Sequence, residues 1–288
     1  MNINWYPGHM TKARRMIEEY LPQVDMAVEI LDARIPASSR NPDIIRLSEK
    51  FGKKTLIVLN KSDLSDPNAN KKWLEYYKNE CGAAMLYDAK KKSSAANADF
   101  FAAVKGAFSD KLERNAARGM IGKSLKIMIL GIPNAGKSTV INNLCGEKKA
   151  KAEDRPGVTR TKQWISAGGL DILDTPGILW PKLEDKHAAV RLAVTGAIRD
   201  EILDTEELAA KFVEILKNDY PKELCARYKL TELSDDPYEI LHMIAKKRGF
   251  IVSGGEVDLE RTSLILLDEF RAGKIGRITL DSYERLHV

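Results

Sequence analysis

Residues 125–144 read LKIMILGIPNAGKSTVINNL, an apolar run followed by a glycine-containing loop and a helical pattern. The segment Gly131–Ser138, GIPNAGKS, matches the pattern GxxxxGK[ST] of a phosphate-binding loop, called the P-loop below. Gly131 and Gly136 allow the backbone to curl until its N–H groups face a phosphate, and the following helix adds its positive end. The alternative is a glycine-rich turn that matches the pattern by chance.

The P-loop also supplies side chains suited to a nucleoside triphosphate and its metal ion. Lys137 is placed to reach the β- and γ-phosphates, and the hydroxyl of Ser138 is suited to Mg²⁺. We therefore predict that the phosphate-binding residues are Pro133, Asn134, Ala135, Gly136, Lys137, Ser138 and Thr139.

Short apolar runs alternate with helical patterns over the first two thirds of the chain, which is typical of βαβ units. The pattern predicts an α/β fold class with a doubly wound, mostly parallel sheet. From about residue 185 the periodicity becomes helical, so we expect one domain over 1–184 and a small all-helical domain over 185–288. The predicted strands are Asp25–Arg34, Lys54–Asn60, Ala83–Asp88, Leu125–Gly131 and Leu170–Asp174.

The composition limits the class of protein. The chain has 288 residues, of which 44% are hydrophobic and 30% charged, so two domains with buried cores are expected. No apolar run approaches the roughly 18 to 20 residues that span a bilayer, and the first residues lack the apolar core of a signal peptide. We expect a cytoplasmic protein that does not enter a membrane. The spacing of Cys81, Cys145 and Cys225 fits neither a disulfide framework nor a CxxC metal pair.

A second motif, NKSD, indicates which base is bound. Residues Asn60–Asp63, called the guanine element below, directly follow the predicted strand KTLIVLN and match the NKxD pattern. The carboxylate of Asp63 can accept hydrogen bonds from both the ring N–H and the exocyclic amine of guanine, whereas adenine would leave it unsatisfied. NKSD alone is also a common surface turn. In a chain with a P-loop we predict guanine binding by Asn60, Lys61, Ser62 and Asp63.

Two further segments match the switches of a GTPase. DTPG, Asp174–Gly177, follows the strand LDIL, where Asp174 is suited to hold Mg²⁺ through a water and the Gly177 amide to meet the γ-phosphate. Upstream, PGVTR offers Thr159 as the hydroxyl that closes on Mg²⁺. The P-loop, PGVTR and DTPG therefore all indicate a site for nucleotide phosphates and Mg²⁺.

The order of these motifs is unusual. In an ordinary GTPase the phosphate loop comes first, but here the guanine element precedes the P-loop by about seventy residues. The sequence therefore predicts a circularly permuted GTPase domain, which the fold tolerates because domain ends often lie close together. As a consequence DTPG leads directly into the helical domain, so a movement at Gly177 could reorient that domain.

The motif order resembles that of a known family, the circularly permuted YlqF/YawG GTPases. The resemblance covers essentially the whole chain, because WYPGHM, DAR, NKSD, GIPNAGKS, PGVT, DTPG and the helical end stand in the family's order. It implies hydrolysis of GTP to GDP and phosphate, as a switch in late assembly of the bacterial large (50S) ribosomal subunit. It also implies activation by the ribosomal particle, with ribosomal RNA and proteins of the subunit precursor as partners.

The same resemblance assigns the site residues already named, with one departure. The loop against the base, usually of the SA type, reads Asp88-Ala89-Lys90 here. Because that loop acts largely through backbone N–H groups, we expect Asp88 and Ala89 to complete the guanine site.

The histidine near the start of the chain is the candidate catalytic residue. Ras-like enzymes orient the attacking water with a glutamine just after DxxG, but Ile178 stands there in this chain. An aliphatic side chain cannot orient water, and the resemblance offers His9 of WYPGHM instead. Imidazole can accept a proton or hold a water near neutral pH. The alternative is that His9 caps the next helix or contacts RNA.

The resemblance further implies a monovalent cation. An asparagine at the position of Asn134 accompanies a bound K⁺ in relatives of this family, where the ion supplies the positive charge of an arginine finger. The alternative is a simple hydrogen bond within the loop.

The charge distribution is compatible with an RNA partner. The net charge is +5, and six basic residues lie between Lys148 and Lys162, with more at Lys246–Arg248, while Asp200–Glu207 is acidic. We expect a monomer that binds RNA and not DNA. Two other function classes stay open: a P-loop ATPase or kinase, which would leave NKSD without a role, and a scaffold that binds GTP without hydrolysing it.

Overall fold

The structure is a computed structural model that describes residues 8–117, 124–146, 164–180 and 185–284, and the side chains of His9 and Asn115 lie outside that description. The chain divides into two compact units, one formed by Tyr6–Pro181 with Asp281–Val288 and one that includes Lys182–Leu280. The boundary between residues 184 and 185 stays a prediction, and the segment from Asp281 onward groups with the first unit.

Contacts of Asp281 and Tyr283 explain that grouping. The buried Asp281 carboxylate accepts hydrogen bonds from the backbone N–H and the hydroxyl of Ser38, at 2.7 and 2.6 Å. The ring of Tyr283 packs edge-on against Trp73, with 5.7 Å between the ring centroids. Both contacts attach Asp281 and Tyr283 to the first unit. They join residues that are far apart in the sequence, so local periodicity could not reveal them.

The first unit is built on a six-stranded sheet in the order β3-β2-β1-β4-β6-β5. All neighbours are parallel except β5 and β6, which confirms the predicted α/β class with a mostly parallel sheet. Every residue of β1 is buried, as expected of a central strand that is covered on both faces. The strands are β1 (Met26–Asp32), β2 (Lys54–Asn60), β3 (Ala84–Leu86), β4 (Leu125–Leu130), β5 (Trp164–Ala167) and β6 (Leu170–Leu173).

Helices connect these strands, and side chains at their first turns explain where several of them begin. Asn41, Asp66 and Ser93 each accept a hydrogen bond from a backbone N–H of the helix that follows, at α2, α3 and α4. The described helices are α1 (Gly8–Tyr20), α2 (Pro42–Lys50), α3 (Pro67–Cys81), α4 (Ser94–Gly106), α5 (Ser109–Ala117) and α6 (Lys137–Cys145).

The strand order fixes where a ligand can bind. From the centre of the sheet, β1, β2 and β3 follow one another towards one edge, whereas β4 and β6 lie towards the other. The direction of winding therefore changes between β1 and β4, and ligands of open α/β sheets bind beyond the carboxyl ends of the strands at such a point. The P-loop follows β4, and the guanine element begins at the last residue of β2.

The second unit is helical in its described part apart from one antiparallel bridge between Ile251 and Val257. Its core includes Phe212 and Phe270, whose ring centroids lie 4.8 Å apart. Asp258 caps the last helix by accepting a hydrogen bond from the N–H of Arg261. The helices are α7 (Lys186–Val194), α8 (Thr205–Asp219), α9 (Pro221–Tyr228), α10 (Pro237–Arg248) and α11 (Leu259–Arg271).

None of the described helices has the length and apolar character needed to cross a membrane.

Candidate active site

The P-loop adopts a curled backbone that depends on its glycines. Gly131 has φ +144°, and a side chain there would overlap the carbonyl oxygen of Ile30. Gly136 has φ +93°, and a side chain there would overlap the amide nitrogen of Asn60. Asn134 is a non-glycine residue with φ +58°, in the left-handed region. The loop is therefore held in a compact shape that larger residues at 131 and 136 would disrupt.

The helix α6 begins directly at the P-loop lysine. Gly136 is its N-cap and has no side chain to satisfy the first N–H groups, which leaves them suited to an anion. Ser138 and Thr139 are exposed on this first turn. Lys137 is buried and donates to the carbonyl of Ile132 at 2.9 Å. Burial lowers the pKa of Lys137 to about 8, although the nearby Asp174 carboxylate acts in the opposite direction.

The side chain of Asn60 joins the guanine element to two other loops. Asn60 is buried at the end of β2, and its Nδ2 donates to the carbonyl of Ala135 in the P-loop at 2.8 Å. Its Oδ1 accepts from the backbone N–H of Ala89 at 3.2 Å. One amide group thus connects the P-loop with the loop that was expected to meet the base.

Lys61 makes a second connection between the guanine element and the P-loop. It is a non-glycine residue with φ +60°, and its Nζ donates to the carbonyl of Asn134 at 2.6 Å. The same ammonium group contacts Oδ2 of Asp32 at 2.9 Å. Burial lowers the pKa of Lys61, and the Asp32 carboxylate acts in the opposite direction.

Ser62 and Asp63 complete the guanine element. The backbone N–H and hydroxyl of Ser62 both contact the carbonyl of Tyr87, at 3.2 and 3.0 Å. Asp63 is half-buried. Ser62 therefore attaches the element to the end of β3, next to the loop that contains Asp88.

The loop Asp88–Lys90, called the base loop below, has a defined shape. Oδ1 of Asp88 accepts from the backbone N–H groups of Lys90 and Lys91 at 3.0 and 3.3 Å, which forms a turn around its own side chain. The carbonyl of Ala89 accepts from Nδ2 of Asn143 on α6 at 2.7 Å. This loop therefore contacts both the guanine element and the helix that starts at the P-loop.

The segment DTPG lies against the P-loop. The hydroxyl of Thr175 donates to the carbonyl of Ile129 at 2.6 Å, which fastens the segment to β4. A side chain at Gly177 would come within 2.7 Å of the backbone of Pro133 and 2.9 Å of Nζ of Lys137. The close approach at Gly177 therefore requires glycine.

Asp174 is the carboxylate that the sequence predicts to face Mg²⁺. Its Oδ1 is buried and has no hydrogen-bond partner in the part of the chain that the structure describes. Burial raises the pKa of Asp174, and Lys137 acts in the opposite direction. No group of three or more acidic, histidine or cysteine side chains that could hold a metal ion occurs among the described residues. A cation here would depend on hydroxyl and phosphate oxygens as well as on Asp174.

Ile178, which follows DTPG, is part of the core. Its side chain is 1% exposed and belongs to a hydrophobic cluster that includes Ala13 and Ile17 of α1. Its backbone N–H contacts the carbonyl of Gly131 at 3.3 Å, and its carbonyl accepts from Nδ2 of Asn41 at 3.0 Å. No polar side chain is therefore available at this position to orient water.

Two predicted site residues, His9 and Thr159, are not covered in full by the described residues. His9 is the second residue of α1, the helix that packs on Ile178, but its side chain lies outside the described residues. Thr159 and the basic segment from Lys148 to Lys162 also lie outside them. Their proposed roles stay predictions.

Several residues that hold the site together had no role predicted from the sequence. They are Asp32, Asn41, Asn143 and Thr175, which bond to Lys61, Ile178, Ala89 and Ile129 respectively. Asp32 had a detectable signal, because it stands in the segment DAR at the end of a predicted strand. Asn143 and Thr175 act over distances that the sequence does not reveal.

Comparisons with known proteins agree with this geometry. A family model described as "50S ribosome-binding GTPase" matches residues 126–247, which begin at β4 and exclude the guanine element upstream. Ribosome biogenesis GTPase A of Priestia megaterium is 43% identical over 283 residues, which are 98% of this chain and 97% of that protein. The protein of the same name from Bacillus cereus is 41% identical over 285 residues, 99% of this chain and 95% of that protein.

Two solved structures of YlqF resemble the structure along most of the chain. A GDP-bound structure has a TM-score of 0.65 and 28% identity, and it covers 94% of this chain and 100% of its own. The GNP-bound protein from T. maritima has a TM-score of 0.61 and 29% identity, and it covers 94% and 97%. The identities, the coverage and the permuted order of the motifs show that the chain belongs to the ribosome biogenesis GTPase A family of circularly permuted GTPases.

Proposed function

We propose that this GTPase binds GTP at the carboxyl edge of β1, β2, β4 and β6 and hydrolyses it to GDP and phosphate. The hydrolysis acts as a switch in late assembly of the bacterial large (50S) ribosomal subunit, and the ribosomal particle activates it. The family model and the names of the relatives support the ribosomal part of the proposal.

One observation carries the nucleotide part. Two motifs about seventy residues apart in the chain are joined by two side chains of the guanine element. Asn60 bonds to Ala135, and Lys61 bonds to Asn134. A P-loop ATPase or kinase would need no such hydrogen bonds between its P-loop and an NKxD segment. The contacts therefore favour a site that reads guanine with one end and binds phosphates with the other.

Each group of the site then has a role in the proposal. The first N–H groups of α6 and Lys137 bind the β- and γ-phosphates, and Asp63 with the base loop reads guanine. Mg²⁺, held by Ser138, Thr159 and Asp174, would neutralise charge on the phosphates. The buried Oδ1 of Asp174 without a partner among the described residues fits this assignment.

The catalytic group and the cation are further parts of the proposal. Ile178 is buried, so the water that attacks the γ-phosphate needs another polar group, and we assign that role to His9. Asn134 is exposed on the P-loop and is the residue proposed to accompany K⁺. Turnover that is equal in K⁺ and Na⁺ buffers would contradict the K⁺ assignment.

The partner is the large subunit precursor, with contacts to ribosomal RNA and proteins. Lys246 and Lys247 are exposed at the end of α10 and can contribute positive charge, whereas Arg248 also bonds to Glu269. We propose that the protein acts as a monomer in the cytoplasm and binds neither DNA nor membranes. Binding to large subunits that did not weaken with added salt would count against contacts to phosphate.

The proposal is tested by measuring GTP turnover in K⁺ buffer, with and without purified large ribosomal subunits, and with ATP as the control nucleotide. Strong stimulation that is specific to GTP is expected. Tight GTP binding without turnover under any of these conditions would instead support the scaffold alternative, and equal use of ATP would contradict guanine recognition.

A matched pair of variants tests the reading of guanine. Asp63→Asn should weaken GTP binding by about a hundredfold or more and improve binding of xanthosine triphosphate, whose carbonyl can face the new amide. Asp66→Asn is the control, because Asp66 caps α3 and asparagine caps helices equally well. Equal GTP affinity in the two variants would contradict the role of Asp63.

A further inference from the structure

Asp32 lies at the carboxyl end of β1, and each oxygen of its carboxylate accepts two hydrogen bonds. Asp32 is 1% exposed, and its Oδ1 accepts from the backbone N–H and Nε of Arg34, both at 3.0 Å. Its Oδ2 accepts from NH2 of Arg34 at 2.7 Å and from Nζ of Lys61 at 2.9 Å. A single buried carboxylate therefore pairs with two cations, one from its own loop and one from the guanine element.

The second of these cations, the ammonium group of Lys61, also bonds to the P-loop. Nζ of Lys61 also donates to the carbonyl of Asn134 at 2.6 Å, so the ammonium stands between Asp32 and the P-loop. Lys61 and Asn134 both adopt left-handed backbone conformations, at φ +60° and +58°. Such conformations cost energy in residues other than glycine and persist only where surrounding contacts hold them. The ammonium group links the two strained residues to each other.

The geometry also shows what would follow without Asp32. The Lys61 ammonium would then lie in a mostly buried place with the guanidinium of Arg34 nearby and, among the described residues, no carboxylate against it. A buried charge without a partner is strongly disfavoured, so the side chain would turn away from Asn134 or lose its charge. Either change would remove the charged donor from the P-loop carbonyl.

We propose that Asp32 is a positioning residue of the nucleotide site, which holds Lys61 against Asn134 and thereby fixes the guanine element and the P-loop relative to each other. This inference rests on the proposed binding of guanine nucleotides at these loops. Asp32 itself contacts no nucleotide group in this assignment and acts through Lys61. The fixed geometry lowers the cost of ordering the loops when a nucleotide binds.

Calorimetry with GDP tests the proposal through a double-mutant cycle. Asp32→Asn should raise the Kd for GDP about tenfold, whereas the same change made in a Lys61→Met background should alter the Kd less than about twofold. The buried Asp43 supplies the matched control, since it also pairs with arginines, at 3.4 Å to Arg14 and 3.5 Å to Arg46, but has no bond to the motifs in the described residues. Asp43→Asn should leave the Kd unchanged.

A steady-state measurement separates positioning from a purely structural role. Because Lys61 contributes to binding of the ground state and the transition state alike, Asp32→Asn should raise the KM for GTP and leave the subunit-stimulated kcat unchanged. A general loss of structure would lower kcat as well. If Asp32→Asn alone does not fold, Asp32→Asn combined with Arg34→Gln leaves no guanidinium without its partner and should show the same loss of affinity.

Several outcomes would overturn the inference. They are a Kd of Asp32→Asn within twofold of wild type, an equal loss of affinity with and without Lys61, and a fall in kcat at unchanged KM. Failure of the proposed guanine-nucleotide binding looks different, because the wild-type protein would then bind no GDP at all, and failure of hydrolysis alone would leave the Kd measurements intact.

Discussion

Gly136 offers a sharp test of the close packing between the P-loop and the guanine element. The variant Gly136→Ala places a methyl group in a left-handed conformation and against Nδ2 of Asn60. Gly82→Ala is the matched control, because Gly82 also has a positive φ, +77°, but a methyl group there would meet nothing within 4 Å. Both variants bear the conformational cost of a left-handed alanine, about 1–2 kcal/mol.

The difference between the two variants measures the contact itself. Displacing Asn60 breaks its bond of 2.8 Å to the carbonyl of Ala135 and leaves buried polar groups unsatisfied, which costs about 1–3 kcal/mol more. We expect Gly136→Ala to lower the free energy of unfolding by about 2–5 kcal/mol and Gly82→Ala by about 1–2 kcal/mol.

Urea denaturation and GDP calorimetry on both variants provide the measurement. Only Gly136→Ala should weaken GDP binding, by at least about tenfold, since the N–H groups of the P-loop lose their arrangement. Equal destabilisation of the two variants together with unchanged GDP binding would refute the argument from close packing.

Three other perturbations address other parts of the molecule. His9→Ala should lower subunit-stimulated GTP turnover about a hundredfold or more while GTP affinity stays nearly intact. The control is His242→Ala, which replaces an exposed histidine of the helical unit and should change neither quantity. Unchanged stimulated turnover in His9→Ala would contradict the catalytic role of His9. Burial raises the pKa of Glu29 to about 7 from 4.5, so the folded state binds more protons than the unfolded state and stability should fall as the pH rises from about 4.5 to about 7, by about 3 kcal/mol. Urea denaturation of wild type and Glu29→Gln at pH 4.5 and 8 measures that fall, and an identical pH dependence in both proteins would contradict it. Asp281→Ala should lower the free energy of unfolding by about 3 kcal/mol because it removes two buried hydrogen bonds to Ser38. Asp235→Ala is the control, because it removes an exposed carboxylate and should have no measurable effect. Equal unfolding curves for these two variants would contradict a stabilising role of the bonds between Asp281 and Ser38.

The sequence by itself determined the fold class and the motifs of the site. Strand and helix periodicities predicted a mostly parallel sheet, and the structure confirmed it. The signal was strong because β1 and β4 are almost entirely buried and therefore consist mainly of apolar residues. The glycines of GIPNAGKS and DTPG were also informative, because only glycine readily permits a left-handed backbone or a very close approach of another group. Motif order alone indicated the permutation.

The side-chain contacts that connect those segments were decided only by the tertiary structure. Asp32 pairs with Lys61 across 29 positions, and Asp281 bonds to Ser38 across 243 positions. Contacts of this kind depend on how strands are ordered in the sheet and where the chain returns, and neither is encoded in local periodicity. The burial of Ile178 against α1 belongs to the same class. The sequence named the chemical groups of the site, and long-range packing decided which of them hold one another in place.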